Sequence, residues 1–194
     1  MKNIQDIMEQ INNLQKRLSL EIQKKEEEFF YKIHGKKVEF EEATKRYHET
    51  LVTRIYTYIF NAAWLNILTA PVIWFCLVPA IFLDLVAAVY QAICFPVYKI
   101  PKVKRNDYIV IDRHALNYLN AIEKLNCVYC GYFNGLIAYV QEIAARTEQY
   151  WCPIKHARRI GTIHSRYQKF FEYGDGNEYR NKIEKIREDF EDLK

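Results

Sequence analysis

From Ile55 to Tyr98 the chain carries one formal charge, Asp84, inside a run that is otherwise apolar, aromatic or uncharged polar. A membrane-crossing helix needs roughly 20 predominantly apolar residues, and this run is more than twice as long. The stretch 55–98 therefore reads as a membrane hairpin or a re-entrant segment, and the lipid bilayer is the first expected partner. Pro71, Pro79 and Pro96 punctuate it. Proline removes a backbone donor and kinks or ends a helix, and carbonyls freed in lipid must find partners inside the protein. Two layouts fit. In one, a helix ends at Ala70, the chain turns at Pro71, and a second helix runs to Phe95. In the other, the turn falls near Pro79. Asp84 is mid-helix in the first layout and must face a partner, because a charge in hydrocarbon is costly. In the second it lies near the far headgroups.

The flanks bear on orientation. Lys45, Arg46 and Arg54 precede the run, and Lys99, Lys102, Lys104 and Arg105 follow it. Positive charge favours the cytoplasmic side, so an even number of crossings or a re-entrant hairpin is expected, with both termini cytoplasmic. Trp64, Trp74, Tyr56, Tyr58, Tyr90 and Tyr98 suit interfacial anchoring. Half the residues are apolar and the net charge is +4. Acidic and basic residues interleave in both tails, which gives no basic stripe and no expectation of nucleic acid. Met1 to Arg17 is polar and amphipathic, unlike a secretory signal.

The fold class expected is all-α, with an N-terminal helical arm, the membrane hairpin and a C-terminal cytoplasmic helical domain. The arm covers 1–54. Residues 3–31 read as a helix with Ile4, Ile7, Ile11, Leu14 and Leu18 at alternating spacings of three and four. That is the seam of a short coiled coil, through which a second copy or a membrane protein would dock, or equally a face packing on this protein itself. His34-Gly35 breaks the pattern, and a second helix is expected from Lys37 into the apolar run. Over 99–173, Tyr108–Ile111 reads as extended and 113–126 as a helix. Gly131 and Asn134-Gly135 interrupt, Leu136–Tyr150 is helical, and Pro153 opens a helix carrying His156, Arg158, Arg159 and His164 toward Phe171. Residues 174–194 form an amphipathic helix with Tyr179, Ile183, Ile186, Phe190 and Leu193 along one face.

Five cysteines, an odd number without an export signal, suggest reduced thiols. Cys76 and Cys94 read as small packing residues. Cys127-Val-Tyr-Cys130 followed by Cys152-Pro-Ile-Lys-His156 has the ligand types and local spacing of a structural zinc site. A straight helix over Leu136–Tyr150 would be roughly 22 Å long at about 1.5 Å per residue, so one shared site requires a broken helix or a partner chain. A second arrangement gathers His114, Glu148, Cys152 and His156, with Glu148, Cys152 and His156 spaced four apart. That cluster would bind a metal, or would activate Cys152 as a nucleophile beside His156. The bland alternative is that the cysteines pack and His156 is a surface residue. No phosphate-binding glycine loop, nucleophile elbow or His-Glu-x-x-His is present, and whether the chain is an enzyme is left open.

Longer stretches carry a resemblance. They are Asp112-Arg113-His114, Tyr118-Leu119-Asn120, Glu123 to Cys127, Tyr129 to Tyr132, Arg146 to Ala157, Leu68 to Ile73 and Cys94 to Tyr98. Over most of 60–175 the chain resembles an uncharacterised family of small bacterial membrane proteins with Cys-x-Tyr-Cys and Trp-Cys-Pro-Ile-Lys-His motifs. The resemblance implies a bacterial membrane protein, here expected in the inner membrane, and brings no activity, cofactor or site residues. The leading expectation is a membrane-anchored protein binding a metal, zinc before iron, through Cys127, Cys130, Cys152 and His156. The alternatives are a non-enzymatic membrane interaction or scaffold protein, and an enzyme using Cys152.

Overall fold

A computed structural model describes residues 2–34 and 37–193, with side chains in the first helix described at Gln10 and from Asn13 onward. The chain is mostly helical, with one small sheet. It divides into two compact units, Met1–Asn61 with Asp112–Val128, and Ala62–Ile111 with Tyr129–Lys194.

In the first unit, helix α1 (Lys2–Glu28) is followed by strands β1 (Tyr31–His34) and β2 (Lys37–Phe40). Ile4, Ile7 and Ile11 of the expected seam fall outside the described side chains, while Leu14 and Leu18 are 60% and 62% exposed. The strands pair antiparallel with Tyr31 opposite Phe40 and His34 opposite Lys37. The expected helix from Lys37 is thus corrected. Val38 and Phe40 alternate with Lys37 and Glu39, a period-two pattern that favours a strand, and helix α2 begins only at Glu42 and ends at Thr50. Helix α3 (Ile55–Asn61) follows after a break. A chain of rings ties this unit together. Tyr31 meets Phe40, Phe40 meets His48 edge-on at 5.2 Å, and His48 meets Tyr118 at 5.1 Å and 87°.

The residues expected as a helix over 113–126 hold only a short 3-10 turn at Arg113–Ala115 before helix α6 (Ala121–Trp151) starts. A reciprocal cap fixes that start. Asn120 Oδ1 accepts from the N–H groups of Ile122 and Glu123, and Glu123 Oε2 accepts from the N–H of Asn120. Both ends of the motif satisfy donors that a helix N-terminus otherwise leaves unpaired. Asn120 also donates to the Thr53 carbonyl at 3.3 Å.

The second unit is built on helices α4 (Trp64–Phe75), α5 (Leu77–Val97) and most of α6. Neither expected turn is present, because Pro71 lies inside α4 and Pro79 sits in the first turn of α5. The interruption is a single residue, Cys76, with φ −61° and ψ −17°. Those are right-handed helical angles, so the chain continues instead of reversing. Pro79 is tolerated because N–H groups in a helix's first turn have no intrahelical partner. At the break, the Tyr129 hydroxyl donates to the Ile73 carbonyl at 2.9 Å.

The chain reverses after α5. Lys99, with φ 55°, ends the helix, and the segment from Ile100 to Ile111 runs back along it. Helix α6 then lies beside α5 in the same direction, with Gln91 bonding Tyr139 and Tyr98 stacked on Tyr150 at 4.9 Å. Gly131 and Asn134-Gly135, expected to interrupt the helix, lie within it. The two glycines are spaced four apart on one face and clear a path for the returning segment. A Cβ at Gly135 would stand 2.7 Å from the Tyr108 carbonyl oxygen and 2.8 Å from Ile109 Cα, and one at Gly131 would stand 3.1 Å from the Val110 oxygen. The helical cost of glycine, about 1 kcal/mol against alanine, is offset by this close approach.

The helix expected from Pro153 to Phe171 is also corrected. Its residues form a loop closed at the base by a parallel bridge between Ile154 and Phe171, with one 3-10 turn at Tyr167–Lys169. Helix α7 (Gly176–Glu188) is capped by Asp175, whose carboxylate accepts from the Glu178 N–H. It ends before Phe190, which is 3% exposed in the same core as Phe95, Leu136, Tyr139 and Ile143.

Candidate membrane-facing surface and its polar seam

Helix α5 has its polarity reversed from that of a water-soluble helix. Ala80, Asp84, Ala87, Gln91 and Phe95 recur at spacings of three and four, and all face inward, Asp84 with a side chain 16% exposed. The opposite stripe is wholly apolar and exposed, through Val78, Phe82, Leu85, Val89, Ile93 and Val97. Helix α4 buries no residue at all. Together Trp64–Val97 is long and apolar enough to cross a membrane. Next to the stripe, Val86, Tyr90, Val140 and Trp151 border an open apolar groove of about 490 Å³.

The inward polar groups are all spoken for. Arg105 grips Asp84 with a fork of two bonds, Nη2 at 2.7 Å and Nε at 3.3 Å, and the Tyr132 hydroxyl adds a third at 3.0 Å. Of the two positions open to Asp84 in the sequence, the structure has the mid-helix one, and the partner comes from the returning segment. Gln91 accepts from the Val103 N–H at 2.6 Å, donates to the Val103 carbonyl at 3.3 Å and donates to the Tyr139 hydroxyl at 3.0 Å. Burial pushes the Tyr139 hydroxyl above its ordinary range, so it is protonated at neutral pH. Further along, Arg146 donates to Glu142 at 2.8 Å and to the Pro101 carbonyl at 2.7 Å, while Ser165 donates to the other Glu142 oxygen. A buried main-chain polar group is costly unless paired, and the returning segment has side-chain partners at Pro101 and Val103.

The expected metal and thiol residues do not converge. Cys127 and Cys130 are one turn apart on α6, both free, with Cys130 exposed. Cys152 follows the other end of that helix, and from Cys130 to Trp151 the distance along the axis is about 32 Å at 1.5 Å per residue. His156 donates its N–H to the Tyr167 hydroxyl at 3.0 Å and stacks its ring on Tyr167. Of the second arrangement, His114 sits in the 3-10 turn Arg113–Ala115 and Glu148 near the end of α6. Glu148 pairs instead with His164 at 3.1 Å, and His164 Nδ1 accepts from the Arg166 N–H. Among the described residues no three of His, Cys, Asp or Glu are grouped to hold a metal ion.

Arg166, 2% exposed, sits at the centre of another polar network in this unit. Its Nε donates to Gln149 at 2.8 Å, and its Nη2 donates to both oxygens of Asp192 at 2.8 Å. Lys169 reaches the same carboxylate. Gln149 in turn donates to the carbonyls of Ile186 and Asp189. Arg166, Gln149 and Asp192 are separated by 17 and 26 residues, and no sequence pattern marks them as partners. No family model, curated protein or solved structure matches this chain.

Proposed function

We propose that this chain is a bacterial inner-membrane protein whose Trp64–Val97 stretch lies in lipid, and that it serves as a non-enzymatic interaction or scaffold protein. The observation that carries this reading is the reversed polarity of α5, with Asp84 and Gln91 turned inward and the stripe from Val78 to Val97 turned out. Exposing that stripe to water would cost on the order of 1.5–3 kcal/mol for each large side chain relative to burial. Patches of this size mark an interaction surface, and the all-round apolar character of α4 favours hydrocarbon over a protein groove. Two features support both termini lying on the cytoplasmic side. Basic residues flank the stretch on both sides, and the segment after α5 doubles back along it with Lys102 and Lys104 exposed.

Alkaline carbonate extraction of membranes tests the lipid part. The full chain is expected to stay with the membrane pellet, and a chain carrying Leu85→Lys and Val89→Lys is expected to move largely to the supernatant. A wild-type chain released by carbonate would overturn the reading. Reporter fusions at the two ends test the course, which requires the same side for both.

A further inference from the structure

The loop between Ile154 and Phe171 frames a hollow beside two arginines, Arg158 and Arg159, that have no acidic partner among the described residues. Its base is closed by Lys155 N–H to the Phe171 carbonyl and Phe171 N–H to the Pro153 carbonyl, both 2.8 Å. Arg166 anchors its far limb to Gln149 and Asp192. Within it, His156, Arg158, Arg159, Ile160 and Ile163 border a hollow of about 440 Å³. The other cations around the hollow are each matched, Lys155 with Glu172, Arg166 with Asp192, and Lys169 with Asp189 and Asp192. Arg158 and Arg159 are exposed and have no carboxylate in range among the described residues. A pair of guanidinium groups left open beside exposed apolar side chains, Ile163 being 56% exposed, suits a ligand with an anionic head and an apolar body.

The loop also leaves from a telling place. It follows Trp151, 54% exposed, which meets Tyr98 edge-on at 5.3 Å where α5 ends. Aromatic side chains at the end of an apolar helix are typical of the membrane–water interface.

We infer that this loop is a headgroup site for an anionic phospholipid, with Arg158 and Arg159 taking the phosphate and Ile163 entering the acyl boundary. The inference rests on the membrane reading above. A surface cation contributes about 1 kcal/mol at an anionic membrane, about fivefold in affinity.

The test uses the full chain in neutral detergent, titrated calorimetrically with short-chain phosphatidylglycerol, short-chain phosphatidylcholine and inorganic phosphate. Phosphatidylglycerol is expected to bind more tightly than the other two. Arg158→Ala and Arg159→Ala are expected to weaken it about fivefold each, with phosphatidylcholine binding and the thermal unfolding curve unchanged because both side chains are exposed. Equal binding of the two lipids, or no loss in the double variant, overturns the inference. Inorganic phosphate binding as tightly as phosphatidylglycerol also overturns it, since the ligand is then a free anion. Carbonate extraction of the wild type reports on the membrane reading separately, so the two can fail independently.

Discussion

The side-chain amide of Gln91 bonds both main-chain polar groups of Val103, as a neighbouring strand would. The pair is buried, and it holds the returning segment against α5. Gln91→Leu keeps the volume close but leaves the Val103 N–H and carbonyl unpaired. Each such buried group costs about 1–3 kcal/mol, so a loss of roughly 2–4 kcal/mol is expected in chemical unfolding of the detergent-solubilised protein. A loss under about 0.5 kcal/mol, the range of neutral surface changes, would show that the segment is held by something else.

The two glycines of α6 give an ordered prediction. Gly135→Ala sets a methyl group against main-chain atoms at 2.7 and 2.8 Å, whereas Gly131→Ala meets one oxygen at 3.1 Å. Overpacking costs about 1–3 kcal/mol, against a helical gain near 1 kcal/mol. Thermal unfolding should rank Gly135→Ala clearly below wild type and Gly131→Ala near it. The reverse order contradicts the close approach at Tyr108.

Glu142 and Arg146 are each 8% exposed in their side chains. Removing one partner of a buried pair strands the other, at about 3–5 kcal/mol, while replacing both with apolar residues is often nearly neutral. Arg146→Leu alone is therefore expected to destabilise strongly, and Glu142→Leu with Arg146→Leu to recover most of the loss. Additive losses in a double-mutant cycle would argue against a coupled pair.

Asp192 predicts the acid behaviour of the C-terminal end. Hydrogen bonds from Arg166, then Lys169, hold its carboxyl well below the usual carboxylate range against the opposing effect of burial. Its contribution is complete above the unfolded carboxylate value of about 4 and is lost as pH falls from there toward the lower folded value. Half the side chain is exposed, so solvent screening makes the effect modest. The protection of the Phe190 amide against hydrogen exchange, corrected for the intrinsic pH dependence of exchange, should fall below about pH 4 in the wild type and show little such fall in Asp192→Asn.

The cysteines predict mild effects. Cys130 and Cys152 are exposed and free, so Cys130→Ser and Cys152→Ser should each change stability by about 0.5 kcal/mol or less. A zinc chelator should leave the unfolding midpoint in place. A chelator-induced drop shared by both variants would restore a zinc site, formed between chains.

The sequence made the apolar stretch and the mostly helical character legible, because both depend on composition and local periodicity. The inward partner of Asp84 was required in principle once it lay mid-helix, but Arg105 was unnamed because pairing across a chain reversal leaves no local trace. Pro71 and Pro79 suggested turns that the chain does not make: Pro79 falls in the first turn of α5, where N–H groups have no intrahelical partner, and α4 runs on through Pro71 with one bond fewer. Gly131 and Gly135 looked like breaks for want of knowledge of what packs on them. The spacing of four set Glu148 with Cys152 and His156, whereas its partner His164 arrives through the loop after Ile154, where helical spacing carries no information.

The seam behind α5 has a consequence for synthesis. Asp84 and Gln91 precede Arg105 and Val103 by 21 and 12 residues, and both lie 48 residues ahead of the tyrosines they bond. The apolar helix therefore leaves the ribosome with an acid and an amide whose partners all emerge after it. On the membrane reading proposed above, insertion of the helix is coupled to the folding of the segment that follows it.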